Sequence, residues 1–229
     1  MRFLLIAGVL LSAIFQVCAQ EQTLTELEFS EIVSKAEKGL VTRGPYRMLL
    51  ETDVTTEGVP SANYRSRSVS LFIPGQGQHR TEERVVGGQP SKSEMITLHE
   101  RSFSRGTDGK WKELERKAAS SSAPQPIASS DRQTIGQSAE CRYLGIETYE
   151  GRRVQVYTKT ERRRSLNTNS GTTSEAETLV KVRVSADGDY FRYESNAKTL
   201  SGERPGRIKI LIESQADPTI SLHLPQTSN

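Results

Sequence analysis

Between Cys141 and Thr160 the chain reads as two β-type runs, Cys141–Tyr149 and Arg152–Thr160, interrupted only by Glu150-Gly151. Glycine supplies the positive φ that a two-residue turn requires, so the stretch predicts a long antiparallel hairpin. In the first arm Leu144, Ile146 and Thr148 alternate with Tyr143, Gly145, Glu147 and Tyr149; in the second Val154 and Val156 alternate with Arg153, Gln155 and Tyr157. A period of two gives the hairpin one apolar face and one polar, aromatic face.

The N-terminus predicts an address. Met1-Arg2, an apolar run from Phe3 to Phe15 and Val17-Cys18-Ala19 ahead of Glu21 make a secretory signal peptide over residues 1–19. The run is shorter than the ~20 apolar residues of a membrane-spanning helix, and Phe15-Gln16-Val17 before Cys18 lack the small residue of a lipidation signal. Residues 20–229 are therefore expected as one periplasmic or secreted domain that is not an integral membrane protein. The 229-residue chain carries a formal charge of +3, too near balance for the basic surface that phosphate contacts demand, so no nucleic acid is expected as a partner. Past the leader only Cys141 remains, which excludes an internal disulfide and reads as a packing residue.

Thr25 and Glu28 have capping-box spacing, and Leu27, Phe29, Ile32, Val33, Ala36 and Leu40 give a helix over 26–39 an apolar stripe. From Tyr46 the period becomes two. Tyr46, Met48, Leu50, Thr52 and Val54 share one face of a first strand, and Arg67–Ile73 follows with Val69, Leu71 and Ile73 expected inward. Gln78–Val86 is a polar strand suited to an edge or a solvated face, and Glu94–Ser104 is a fourth strand. The Asp108-Gly109 turn then leads into Trp111–Arg116. The Ser/Ala/Pro composition within 117–139 and the Ser/Thr/Asn/Gly composition within 161–177 predict flexible insertions. Leu179–Ser185, Tyr190–Ser195, Arg207–Ser214 and a short run over Ile220–Leu224 complete about nine or ten strands. The class is mainly β with one helix (α+β): a strongly curved antiparallel sheet wrapped around the N-terminal helix.

Several of these stretches together resemble the outer-membrane lipoprotein carrier and receptor superfamily (LolA/LolB-like, with the RseB-type sensor domains). They are the leader, the helix, Pro45-Tyr46-Arg47-Met48, Asp108-Gly109-Lys110-Trp111, Leu144 to Arg152 leading into Val156-Tyr157, and Val180 to Arg192. The resemblance implies an unclosed β-barrel holding acyl chains in an apolar cavity. The sequence departs from it at Asp189-Tyr190-Phe191-Arg192-Tyr193, where carriers place Gly-Leu-Pro and an apolar strand.

Catalytic chemistry has no support in the residues. His79, His99 and His223 lie in separate strands without metal-ligand spacing, and no Gly-x-Ser-x-Gly elbow or phosphate-binding loop occurs. The chain is read as non-enzymatic, with no cofactor and no metal. A helix in the mouth of a curved sheet makes Leu27, Phe29, Ile32, Val33, Leu50, Val69, Leu71, Val156, Val182 and Ile210 the candidate lining of a ligand cavity, for a lipid, an acyl chain or a lipoprotein. Arg152, Arg153, Arg162, Arg163 and Arg164 form a candidate anion-binding edge, with a charged edge that blocks aggregation as the plain reading. An interaction or sensor domain using the same scaffold without a ligand, and with an envelope protein as partner, is the alternative.

Overall fold

The computed structural model describes residues 21–114, 132–202 and 205–225. The predicted leader and residues 117–131 of the predicted insertion lie outside the described residues. A three-residue strand, β1 (Gln22–Leu24), precedes α1 (Glu26–Thr42). The Glu28 N–H donates to Thr25 Oγ1 at 3.2 Å and the Glu28 carboxylate accepts from the Thr25 N–H at 2.7 Å, completing the capping box. The helix runs past Gly39 because Leu40, almost fully buried, anchors its last turn to the sheet.

Two meanders follow. The first contains β2 (Tyr46–Thr56), β3 (Tyr64–Ile73), β4 (Gly77–Val86), β5 (Gln89–Leu98), β6 (Arg101–Arg105) and β7 (Trp111–Leu114). The second contains β8 (Arg132–Tyr149), β9 (Arg152–Asn167), β10 (Thr173–Ser185), β11 (Tyr190–Ser201) and β12 (Gly206–Ala216). β12 pairs with β2 along its whole length and joins the meanders into one twelve-stranded antiparallel sheet with β1 and β7 at its edges. The sheet curves around α1 and does not close.

The central hairpin forms as expected, with Glu150 and Gly151 at φ of 48° and 77°. Other expectations are corrected. Strands are twelve among the described residues, and Ile220–Leu224 is not one of them. The 94–104 run is two strands, bent at His99, whose φ is 51°. The predicted insertions shrink because strand pairing continues into them. Residues 132–139 belong to β8, and β9 and β10 stay paired out to Leu166 and Thr173, leaving a turn over 168–172. The polar strand β4 is no edge: it lies between β3 and β5, and its charges pair with each other and across strands, Arg80 and Arg84 with Glu82, and Lys92 of β5 with Glu83.

α1 packs against β8, β11 and β12. Phe29, Ala36 and Leu40 meet Cys141, Tyr157, Val180, Val182 and Phe191, with Ile32, Val33, Tyr143, Tyr193 and Ile212 around them. Val182 has no exposed surface, and full burial of such a side chain contributes roughly 1.5–3 kcal/mol. Burial also pushes the Cys141 thiol above its ordinary pKa, consistent with a packing role.

One extra residue changes the hairpin's faces. Tyr143 pairs with Tyr157 and Gly145 with Val156, so Leu144 bulges out of register. Tyr143 stays on the helix face, while Tyr149 and the bulged Leu144 pack with Val154, Val156 and Tyr190 on the far face. The expected alternation of Leu144 with Ile146 and Thr148 fails there, and Ile146 is left exposed.

Candidate functional site

Ladder register maps the helix face row by row. One row reads Val182, Tyr193, Ile212, Leu50, Ser68, Glu82 from β10 to β4; the next reads Val184, Phe191, Ser214, Met48, Ser70, Arg80; a third reads Val180, Ser195, Ile210, Thr52, Ser66, Arg84. The β10 and β11 ends of these rows sit in the core under α1. Across β12 and β2 the face emerges from beneath the helix as an apolar lane of Met48, Leu50 and Val54 beside Ile208, Ile210 and Ile212. Ile208 is exposed and the other five are half-buried.

The lane runs the length of β2, roughly 27 Å from Tyr46 to Val54 at ~3.4 Å per residue. A pocket opens at each end. One, about 420 Å³, is lined by Val41 at the end of α1, the stacked rings of Tyr46 and Phe72 (centroids 4.8 Å apart) and the Ile73–Gln78 turn. The other, about 310 Å³, is lined by Val54, Val59, Ala62, Ala176, Ala197 and Ile208. Burial raises the Tyr46 hydroxyl above its ordinary pKa, so it stays a neutral hydrogen-bonding group at the lane's end.

The predicted lining residues are dispersed. Phe29 and Val182 are core, and Ile32 and Val33 pack against it, so side chains fill the space expected between helix and sheet. Leu27 is 69% exposed. Leu50 and Ile210 lie together in the lane. Val69, Leu71 and Val156 are on the far face, because Ser66, Ser68 and Ser70 take the inward positions of β3. These serines were missed, although Ser66-Arg67-Ser68-Val69-Ser70 shows the period of two; what decides the face is the pairing of Ser68 with Leu50, which no local pattern displays.

The arginines also separate. Arg152 and Arg162–Arg164 lie on the same strand, roughly 34–41 Å apart at ~3.4 Å per residue, so no single edge joins them. Arg152 pairs with Asp189, Arg162 with Glu177 and Arg163 with Glu161. On the far face a charge network covers the Val154–Val156–Tyr190 cluster. Arg183 donates to Glu147 (2.6 Å) and Glu194 (2.9 Å), Arg192 holds Glu194 and Glu213, and both guanidinium groups lie over the Tyr149 ring. Burial opposes the Arg192 charge, but its hydrogen bonds to Glu194 and Glu213 outweigh it and hold the pKa above the ordinary arginine value. Every carboxylate of this network is engaged by a guanidinium, an arrangement suited to holding strands together.

No helix among the described residues is long and apolar enough to cross a membrane. No family model matches the chain, and no curated protein matches it. Solved structures do. A LolA superfamily protein from Nitrosomonas europaea is 9% identical over 86% of this chain and 94% of its own, with a TM-score of 0.27. A DUF1329 family protein from Desulfovibrio piger is 7% identical over 83% and 92%, also at 0.27. An outer membrane lipoprotein-sorting protein domain from Vibrio parahaemolyticus is 9% identical over 83% and 93%, at 0.25. The superfamily that the sequence resembles is thus among the matches. Scores this far below 0.5 carry no function across to this chain.

Proposed function

We propose that this is a non-enzymatic, exported binding protein that holds the acyl chain of a lipid or lipoprotein along the open lane of its helix face. The observation that carries this reading is the apolar strip of β12 and β2, which meets the helix core at Ile212, opens toward Ile208 and has a pocket at each end. Pockets of roughly 300–1,000 Å³ suit small-molecule ligands, and the lane between them suits an extended chain. Lining residues left half-exposed on the face that elsewhere forms the core cost stability unless something covers them. Mass spectrometry of organic extracts from the purified protein tests the reading, with a fluorescent fatty-acid probe in parallel. A recovered lipid, probe binding, and loss of both in Leu50→Arg with a melting temperature within a few degrees of wild type are expected. No lipid and no probe binding in the wild type would reject it. Export is part of the proposal: intact mass of protein recovered from the periplasm or medium should show loss of residues 1–19, and retention of Met1 or a diacylglycerol adduct on Cys18 would refute it.

A second reading has its own observation. Phe29, Ala36 and Leu40 fill the space between helix and sheet, as expected of an interaction or sensor domain that holds no ligand there.

A further inference from the structure

The open face changes polarity across a single strand spacing. Leu50 and Met48 of β2 stand directly opposite Ser68 and Ser70 of β3, which in turn stand opposite Glu82 and Arg80 of β4. Where a continued apolar lane calls for Val or Leu, β3 places three serines in a row, and all three are buried beneath their longer neighbours. Ser70 is 2% exposed, and among the described residues neither its hydroxyl nor that of Ser66 has a hydrogen-bond partner. Neither serine oxygen is sealed from solvent, the buried hydroxyl without a partner among the described residues being that of Tyr190, so both serines keep donor and acceptor capacity that a group arriving at this face can use.

The charge beside them is unbalanced. Arg80 donates from Nε to Ser68 Oγ at 2.9 Å and from an Nη to Glu82 at 3.0 Å, and Arg84 donates to the same carboxylate at 2.7 Å. Two guanidinium groups share one carboxylate, which leaves one positive charge on the lane's border. Arg80 stands opposite Ser70 in the ladder while its guanidinium leans one pair along to Ser68 and Glu82, and its remaining N–H donors are available to an anion on the same face as the Ser70 hydroxyl.

We infer that the ligand is an anionic amphiphile, its chain along β12 and β2 and its carboxylate or phosphate group held by Arg80 and Ser70. This rests on the lane being the binding surface. The head group accepts from Arg80 and from the Ser70 hydroxyl, while Arg84, stacked 5.7 Å from the Tyr64 ring centroid, keeps Glu82 occupied and away from the anion.

The test compares a long-chain fatty acid, the fatty alcohol of equal length and inorganic phosphate as ligands of the full chain at neutral pH. The wild type should bind the acid about tenfold more tightly than the alcohol, the effect of a charge-assisted hydrogen bond. Arg80→Gln should bring the two within about twofold while the alcohol's affinity stays unchanged. Ser70→Ala, which removes no hydrogen bond of the ligand-free protein, should narrow the gap in the same direction and serves if Arg80→Gln melts early. Equal affinity for acid and alcohol in the wild type overturns this inference and leaves the lane standing. A preference for the acid that survives both substitutions places the anion elsewhere and overturns it too. Phosphate alone binding as tightly as the acid makes the pair a free-ion site, against the proposal. Binding of neither chain removes both the lane and its head-group subsite.

Discussion

At the scale of single residues, polar contacts at strand and helix ends set much of what can be measured. Thr25 Oγ1 accepts from the Glu28 N–H, the half of the capping box that alanine cannot supply, so Thr25→Ala should cost about 1 kcal/mol in urea unfolding; an unchanged midpoint would mean that this hydroxyl does not hold the helix. Glu194 and Glu94 set the response to acid. Burial works to raise both carboxyls, but hydrogen bonds from Arg192 to Glu194, and from Arg105 and His79 to Glu94, outweigh it and hold both below the ordinary value. A carboxyl with a depressed folded pKa binds its proton less readily in the folded than in the unfolded state. The stability it contributes is therefore present above about pH 4.3 and is lost as pH falls through the lower folded values. Denaturant midpoints measured from pH 7 to pH 3 should fall below about pH 4.3, and Glu194→Gln should flatten that fall. A midpoint independent of pH across this range would refute the assignment.

At the scale of elements, the departure of the hairpin from strict alternation has a single cause that can be tested. Gly145 sits at φ 100° to accommodate the bulged Leu144, a conformation that side chains resist. Gly145→Ala should cost about 1–3 kcal/mol. The same alanine should cost less in a chain that also lacks Leu144, because without the extra residue position 145 returns to an extended φ. Equal penalties in the two backgrounds would show that the bulge is not the source of the strain. This element also marks how far the sequence could be read. The Glu150-Gly151 turn, the Thr25 cap and the face shared by Tyr46, Met48 and Leu50 were legible because each depends on neighbours within a few positions. The side of β3 that meets the core was not, because both parities of Ser66–Ile73 look serviceable until Ser68 is paired with Leu50. The polar strand β4 was legible as a solvated strand but not as one paired on both sides: its residues are half-buried or exposed, and ion pairs to neighbouring side chains, which an apolar pattern does not reveal, hold it between β3 and β5. The candidate site suffered most, since it depends on which strands become neighbours, and β12 meets β2 across most of the chain.

At the scale of the whole molecule, that pairing holds two meanders together. β2–β7 and β8–β11 touch through β12, whose partners are β11 on one side and β2 on the other. A chain ended after Gly202 should therefore lose its single cooperative unfolding transition, seen as a broad or absent melt by circular dichroism; a sharp melt near the wild-type temperature would show that the meanders stand without it. Pairings this distant in sequence form late, because closing so long a loop must precede any gain from contact. The lane has one wall from the earliest long strand and the other from the last, so a chain still being made through residues 206–216 has no lane at all. A protease that removes those residues erases the lane and the fold in the same cut. Under the proposed function, no half-built form competes for ligand, and a loaded molecule certifies by its cargo that its sheet is whole.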